Sequence, residues 1–403
     1  MKALSKQLTA LKLITIILFT LIASVTSYAT EKGVSDDTII LGVISPLSGP
    51  ASLIGKAHNL GVKIWNADVN ERGGINGRKV KIRYEDDGYV PARTVQSLKK
   101  LMDLDNIFGL LGTSGSAHLK AMLPVLDREN VPAINAIAVN SAHFNPIHNS
   151  VFVIGPTYCQ EIRAALGKLV EMKSLQKAKF GLVYQDDDYG TDVRCGYLKA
   201  IEDNKLNNVI ELKYHRGQKN FSSEVLKLRR AGVTALMAGG IISETAALLK
   251  ETYRNRMDIA FLTTHASHLL PVQKLAGKAG DGYLIADYMP PLSSTDIPGM
   301  KRFIDLAKKH LSEKEFKSIN RYSTSAYIGG LVMEEGIKRC GKELTRSCFI
   351  NNLENLKDFD TEGLMGPISF APGKRQSASS AIIIRSNAKT QSFEQISDYI
   401  PIQ

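Results

Sequence analysis

Apolar and polar positions along residues 39–87 predict a strand, a helix and a second strand, in that order. Residues 39–44 are almost all apolar, as in a parallel strand that is covered on both faces. Residues 80–84 alternate between apolar and polar side chains, which is typical of a strand. Between them, apolar side chains recur at steps of three and four along one helix face: Ala57, Leu60, Ile64 and Ala67.

Turn-forming residues mark the ends of these elements. Gly73 and Gly74 stop the predicted helix, and Asn76-Gly77 predicts a tight turn before the second strand. The loop at residues 45–55 follows the first strand. In open α/β sheets, ligands bind at this carboxyl edge of the strands.

Strand-like and helix-like segments alternate along the rest of the chain, without an internal repeat or a long linker. Such alternation predicts parallel sheets with helices on both faces, and so an α/β fold. Further strands are predicted at 108–112, 131–138, 151–155, 180–184, 209–213, 233–238, 259–263, 283–286 and 381–385. Helices are predicted at 91–102, 160–172, 222–231 and 243–254, among others.

Residues 1–29 have the pattern of a cleavable secretory signal peptide. Three lysines precede an apolar run at residues 13–22, and small residues follow at Ser27 and Ala29. The run is shorter than the ~20 apolar residues of a spanning helix, although an uncleaved anchor is the alternative. The first cysteine is Cys159, so lipid attachment near the cleavage point is not expected. We expect an exported protein in the periplasm.

Length and charge indicate the number of domains and the kind of binding partner. The chain after residue 29 exceeds the ~250–300 residues at which a single core stops growing, so two domains are expected. The formal net charge is +11, and the three lysines of residues 1–29 supply part of it. The other basic residues alternate with acids, whereas nucleic-acid binding requires a concentrated basic face. A solvated basic surface is the better interpretation.

Four cysteines remain after cleavage, an even number in an oxidising compartment. Cys340 and Cys348 flank a helix end and a short loop, and we expect them to form a disulfide. Cys159 and Cys195 lie near the starts of two predicted helices, where a second disulfide and two buried thiols are equally plausible. Neither pair has the spacing of metal ligands.

Several motifs resemble the leucine/isoleucine/valine-binding protein family, the type I periplasmic solute-binding proteins of ABC importers. They are SPLSGP at 45–50, NERGGINGRKV at 70–80, YEDD at 84–87, the segment 108–134, VYQDDDYG at 183–190 and LMGPISF at 364–370. The resemblance covers nearly the whole mature chain.

The resemblance implies a fold of two doubly wound parallel-sheet lobes joined by a three-strand hinge. Glycine and proline mark the candidate crossings near 155–156, 287–291 and 366–367. Lobe 1 would comprise residues 36–154 and 288–365, and lobe 2 residues 155–287 and 366–403. The ligand would lie between lobes that close by hinge motion.

The function that the resemblance implies is binding without chemistry. A monomeric receptor would capture a small organic ligand and present it to an inner-membrane ABC permease. A periplasmic receptor that reports the ligand to a signalling partner is the alternative. No cofactor is expected.

Ser114 and Ser116 lie between a predicted strand and a helix that begins near Ala117. The N–H groups at such a helix start favour an anion, and a serine hydroxyl adds a hydrogen bond. In the resemblance, Ser116 occupies the place of the serine that holds the ligand carboxylate. The alternative is that either serine only caps the helix.

Three other candidates follow from the resemblance. Ile137 and Val139 lie in a loop that presents backbone groups and a threonine hydroxyl to the ligand in amino-acid-binding relatives. Val139 stands at the position of that threonine, or Asn140 does if the alignment shifts by one residue. Val139 is equally well explained as an ordinary packed side chain. Tyr189 would cover the ligand when the lobes close.

Three positions depart from the amino-acid-binding pattern. Ile54 and Ile241 stand where relatives have tyrosines, and His265 stands where they have an acid that pairs with the α-ammonium group. A buried ammonium without a carboxylate would be costly. The ligand is therefore predicted to be a carboxylate without an ammonium group, such as an aromatic or keto acid, although the family name implies an amino acid.

Metal binding and catalysis are not predicted. His265 and His268 form HxxH, but no third ligand stands at a recognisable spacing. Ser116 and His265 could be imagined in a hydrolase triad, but the GxSxG motif is absent from the sequence.

Overall fold

The computed structural model describes residues 31–113, 115–135 and 137–402, which form two sheets flanked by helices. The strands are β1 (Thr38–Ser45), β2 (Lys79–Asp86), β3 (Gly109–Leu111), β4 (Ala133–Asn135), β5 (Val151–Ile154), β6 (Lys179–Gln185), β7 (Asn207–Tyr214), β8 (Ala235–Gly239), β9 (Ala260–Thr264), β10 (Leu284–Asp287), β11 (Gln376–Ser377), β12 (Ser380–Asn387), β13 (Ser392–Gln395) and β14 (Ile400–Pro401).

The α-helices alternate with these strands over most of the chain. They are α1 (Ser52–Glu71), α2 (Pro91–Asp103), α3 (Ser116–Arg128), α4 (Tyr158–Met172), α5 (Asp188–Asp203), α6 (Ser222–Arg230), α7 (Ser243–Arg254), α8 (Leu270–Ala276), α9 (Pro298–His310), α10 (Glu313–Phe316), α11 (Arg321–Arg339) and α12 (Arg346–Glu354). Short 3₁₀ turns include Ser141–His143 and His265–Ser267.

The two sheets confirm the predicted doubly wound α/β fold. The first has the order β11-β5-β4-β3-β1-β2, and its strand pairs are parallel. The second follows β13-β12-β10-β9-β8-β6-β7, with β14 paired to β12. Its central pairs are parallel, whereas β12 runs antiparallel to β10, β13 and β14. We call the first sheet with its helices lobe 1 and the second lobe 2.

Each lobe has its own apolar core. In lobe 1, the two faces of the sheet bury separate clusters, one against α1, α9, α11 and α12 and the other against α2 and α3. The lobe 2 cluster spans α4 to α8 and reaches across the gap to Ile54, Ile137 and Tyr322 of lobe 1. The lobes therefore lie in contact, in a closed arrangement.

The predicted opening segment is confirmed in its details. β1 is buried along nearly its whole length, and the apolar stripe lies on α1. Asn76 and Gly77 both have positive φ, at 51° and 85°, as a tight turn between α1 and β2 requires. Gly61 lets α1 approach α11 closely, since a Cβ atom there would lie 2.0 Å from the Ser323 carbonyl oxygen.

The chain passes three times between the sheets. It leaves lobe 1 after Ile154 and returns to the helices of lobe 1 after Asp287, beside the glycine- and proline-marked positions noted in the sequence. The third crossing lies between Ser377 and Ser380 and not at 366–367. The reason is that β11 pairs with β5, and that Ile368 and Phe370 are buried in the lobe 1 core. Residues 366–377 therefore extend lobe 1.

Both cysteine pairs form disulfides. Cys340–Cys348 joins the end of α11 to α12, as predicted, and Cys159–Cys195 joins α4 to α5 in lobe 2. Residues 1–29, where the signal peptide is predicted, lie outside the described residues. Within the described part of the chain, no helix combines the length and apolarity needed to cross a membrane.

Candidate functional site

The topological switch points of the two sheets meet between the lobes. The strand order reverses between β1 and β3 in lobe 1 and between β6 and β8 in lobe 2. At such points the carboxyl ends of the strands leave a crevice in which α/β proteins bind ligands. The segments that follow these four strands carry Ile54, Ser116, Tyr189 and Ile241, so the topology brings distant residues together.

A cavity of about 20 Å³ lies where these segments meet. Five predicted residues line it: Ile54, Ser116, Ile137, Tyr189 and Ile241. Residues that were not predicted complete the wall: Tyr89, Gly115, Ala138, Tyr158, Ala266 and Tyr322. This volume is enough for about one water molecule. A ligand the size of an amino acid therefore requires the lobes or side chains to move apart.

Ser116 begins α3 and contributes a hydroxyl group to the cavity wall. Its side chain is buried, and its Oγ has no hydrogen-bond partner in the described part of the chain. Gly115 is the N-cap residue, and no side chain caps the helix. The first N–H groups of a helix have no partner within it and attract an anion. The Ser116 hydroxyl therefore does not cap the helix. A carboxylate in the cavity would accept a hydrogen bond from it.

Four tyrosines supply much of the wall. Tyr158 and Tyr189 make a T-shaped contact with ring centres 4.7 Å apart. The Tyr189 hydroxyl forms hydrogen bonds with Thr264 Oγ1 at 2.8 Å and the Gly240 carbonyl at 3.2 Å. Tyr89 and Tyr322 complete the set from lobe 1. These residues give the cavity a largely aromatic lining.

Sequence reasoning missed three of these tyrosines. Tyr158 follows the first crossing by only a few residues, and Tyr89 follows the YEDD motif at the end of β2. Both positions lie at strand ends that face the gap, which is the signal that could have identified them. Tyr322 lies in the first turn of α11, where no local pattern distinguishes it from a core residue.

His265 is not among the residues that line the cavity in this structure, and its contact with the ligand stays a prediction. Its Nδ1 lies 2.5 Å from Glu161 Oε2, and its ring stacks on Tyr158 with centres 4.7 Å apart. Both members of the pair are fully buried. Burial raises the pKa of the Glu161 carboxyl and lowers the pKa of the His265 imidazole. The pair anchors the His265 ring, which in turn packs on Tyr158 in the cavity wall.

Two other predicted residues also lie elsewhere. Val139 is fully buried in the lobe 1 core, and its carbonyl accepts a hydrogen bond from the Tyr158 N–H at 3.2 Å. The structure thus favours the packed-side-chain alternative for Val139. The neighbouring Asn140 donates to the Asp188 carbonyl at 2.9 Å, across the gap. Ser114 lies outside the described residues.

No acidic side chain lines the cavity among the residues that the structure describes. The buried acids nearby have other partners: Glu161 bonds His265, and Asp192 accepts from Ser141 at 2.7 Å. The Arg216 guanidinium lies over the Tyr89 ring at 4.7 Å and is paired with Asp187. An ammonium group in the cavity would therefore have no carboxylate to neutralise it.

His143 supports the Ser116 backbone and is expected to make the protein sensitive to acid. Its Nε2 lies 3.0 Å from the Ser116 carbonyl oxygen, and burial lowers its pKa to about 4. In the unfolded chain, histidine titrates near 6.5. Between these pH values the unfolded chain binds a proton that the folded chain does not, so stability falls as pH falls. Urea unfolding should show a loss of about 2 kcal/mol from this residue between pH 7 and pH 5.

The matched variant is His143→Gln, because a glutamine amide can still donate to the Ser116 carbonyl but does not titrate. It should lose less stability between pH 7 and pH 5 than the unsubstituted protein does. Equal losses in the two proteins would show that His143 is not the source of the acid sensitivity.

Comparisons with known proteins agree with this architecture. The sequence model of the family described as "Periplasmic binding protein" matches residues 38–391. The Leu/Ile/Val-binding protein homolog 7 of Brucella abortus (strain 2308) is 22% identical over 313 residues, which cover 75% of this chain and 77% of the relative.

Two solved structures have the same fold. A branched chain amino acid ABC transporter protein from Thermus thermophilus with bound valine superimposes with a TM-score of 0.81 at 19% identity, covering 91% of this chain and 97% of that one. A solute binding protein from R. palustris in complex with 4-hydroxybenzoate gives a TM-score of 0.80 at 21% identity, with coverages of 91% and 98%.

Proposed function

Because the chain belongs to the periplasmic binding protein family, we propose that it is an exported receptor for a small organic carboxylate, which it delivers to an ABC importer. Export to the periplasm is part of this proposal. The two disulfides suit an oxidising compartment. The importer partner is inferred from the similar proteins, which are described as ABC transporter components.

The observation that carries the proposal is the hydroxyl of Ser116 in the cavity wall, which has no hydrogen-bond partner among the described residues. A buried hydroxyl without a hydrogen bond costs about 1–3 kcal/mol, so its position at a helix start calls for a polar ligand group. A carboxylate accepts hydrogen bonds from that hydroxyl and from the N–H groups at the start of α3. The cavity thus supplies donors for an acid group.

The remaining wall favours a ligand without an ammonium group. No carboxylate lines the described wall, and Ile54, Ile137 and Ile241 add apolar surface to the tyrosines. Similar proteins bind valine in one case and 4-hydroxybenzoate in another. For this chain, an acid with an aromatic or branched apolar body fits the lining better than an α-amino acid does.

Binding would act through closure of the lobes. Ile54, Ser116 and Tyr322 belong to lobe 1, whereas Tyr189 and Ile241 belong to lobe 2, so the ligand contacts both sets only when the lobes are closed. A ligand that binds the closed form more tightly shifts the equilibrium toward it. The closed form would be the one that the permease recognises.

The ligand class can be tested with two compounds that share a carbon skeleton. α-Ketoisocaproate carries a keto group where leucine carries an ammonium group. We expect α-ketoisocaproate and 4-hydroxybenzoate to raise the melting temperature, because neither brings a positive charge into the cavity. At a concentration a hundredfold above Kd, the stabilisation should be about 2.7 kcal/mol. Leucine should cause a smaller shift at the same concentration.

The outcomes test the proposed ligand class and the proposed receptor role separately. Stabilisation by leucine but not by the keto acid would overturn the carboxylate preference and leave the receptor role intact. Absence of stabilisation by any small acid or amino acid would count against the receptor role itself. Isothermal titration calorimetry of the compounds that shift the melting temperature would supply Kd directly.

A further inference from the structure

A second and much larger opening lies between the lobes, beside the Ser116 cavity. It has a volume of about 870 Å³ and shares no lining residue with that cavity. Lobe 1 contributes one side of α1 and residues 312–321, and lobe 2 contributes α8 and residues 391–393. We call this opening the lateral groove. Its volume lies within the range of small-molecule sites, about 300–1,000 Å³.

Basic side chains dominate the charged groups of the lateral groove. Glu315 is the carboxylate in its described wall, and it is already paired with Lys63. Lys317 has a partner in Glu313. The basic residues of the wall are Lys56, Lys274, Lys314, Lys317 and Arg321. The groove therefore attracts an anion.

Arg321 marks the buried end of the groove. It is 4% exposed, and its Nε donates to both oxygens of Asp287, at 2.8 and 3.0 Å. Its Nη1 and Nη2 atoms have no hydrogen-bond partner in the described part of the chain. Buried N–H donors without partners are unfavourable. The Nη1 and Nη2 groups of a guanidinium can donate side by side to the two oxygens of a carboxylate. An acid group reaching Arg321 would satisfy them.

Apolar side chains cover the outer part of the groove. Leu53 and Leu270 are 44% and 37% exposed, although each belongs to a helix that packs against its own lobe. Leu60, Leu292 and Phe393 are partly buried in the same wall. The groove thus combines, at its inner end, guanidinium N–H donors that lack a partner among the described residues with an outer part that carries exposed lysines and accessible apolar side chains. That arrangement matches a molecule with an acid group at one end and a hydrocarbon chain.

We propose that the lateral groove is a second binding site, for a free single-chain amphiphilic carboxylate. The acid group lies at Arg321, and the hydrocarbon chain runs outward along Leu53, Leu270 and Phe393. The groove is formed by both lobes, so its ligand also favours the closed arrangement. This site is separate from the cavity at Ser116 and does not depend on the function proposed for that cavity.

Decanoate is the probe, with decyltrimethylammonium as a ligand of opposite charge and similar chain length. Calorimetry on the full mature chain should show binding of decanoate and much weaker binding of the cation. The double variant Leu270→Glu/Lys274→Glu places acids on the exposed side of α8 and should weaken decanoate binding by about tenfold or more. Lys278→Glu is the control, because Lys278 is exposed nearby but does not line the groove.

A variant of the other cavity separates the two sites. Ser116→Asp should leave decanoate binding unchanged, and the groove variant should leave binding of 4-hydroxybenzoate unchanged. Three results would overturn the proposal: absence of decanoate binding, equal affinity for the cation, or loss of decanoate binding in Ser116→Asp but not in the groove variant. Failure of 4-hydroxybenzoate to bind would affect only the Ser116 cavity.

Discussion

Replacing Asp287 with alanine is expected to lower the free energy of unfolding by about 3–5 kcal/mol. Its carboxylate bonds Arg321 Nε through both oxygens and His268 Nδ1 at 2.7 Å. Burial alone would raise the pKa of Asp287, but Arg321 and His268 hold it well below the usual range. The ion pair is therefore fully formed at neutral pH. Without Asp287, the Arg321 guanidinium would be buried as an uncompensated charge.

The loss should be measured by urea unfolding of Asp287→Ala at pH 7. Asp305→Ala is the matched control, because Asp305 pairs with Lys301 on an exposed helix face, where such pairs contribute about 0–1 kcal/mol. Since Asp287 ends β10 in lobe 2 and Arg321 begins α11 in lobe 1, the variant should also loosen the contact between lobes. Equal losses in the two variants would refute the importance of the buried pair.

Replacing Ser116 with aspartate is expected to weaken binding of a carboxylate ligand about a thousandfold. Two like charges about 4 Å apart repel by roughly 4 kcal/mol at an effective dielectric constant of 20. The new side chain would also occupy the N–H groups at the start of α3, which prefer an acidic residue. The ligand would therefore lose its partners and meet a repulsive charge at the same place.

Ser116→Asn is the control for this variant, because asparagine has the shape of aspartate without its charge. Calorimetry with 4-hydroxybenzoate should show a far larger loss for the aspartate variant than for the asparagine variant. If both variants bind as weakly as each other, size and not charge would explain the effect. If both bind as well as the unsubstituted protein, the acid group does not lie at Ser116.

Most elements of the fold could be predicted because their patterns are local. The apolar run at 39–44 became β1 (Thr38–Ser45), and the helix predicted at 243–254 has those bounds in α7. A run or stripe of this length carries its own periodicity, so neighbouring residues suffice to identify it. The alternation of strands and helices then predicted the α/β fold class, and the motif resemblance predicted the arrangement in two lobes.

The third crossing and β11 could not be predicted in this way. β11 comprises only Gln376–Ser377, two polar residues whose role as an edge strand depends on pairing with β5, far away in the chain. Two residues carry no periodicity. The motif at 364–370 marks the region of the crossing but not the residue at which the chain changes sheet.

The candidate site was predictable where backbone position decides it and not where a distant partner does. Ser116, Tyr189 and Ile241 follow strands directly, and the resemblance assigned them to the ligand site; all three line the cavity. His265 also follows a strand, but Glu161 binds it from a helix 104 residues earlier in the chain. Pairing of that kind leaves no trace in the local sequence.

The late position of β11 and β12 bears on how this protein can be made. Lobe 1 receives its edge strand from residues 376–377, and the lobe 2 sheet receives β12 from Ser380–Asn387. Neither sheet can be completed until residues 376–387 have left the ribosome, whereas chains usually fold domain by domain from the N-terminus. Until those residues emerge, each sheet lacks one of its strands, so we expect the two lobes to reach their final form late and at nearly the same time.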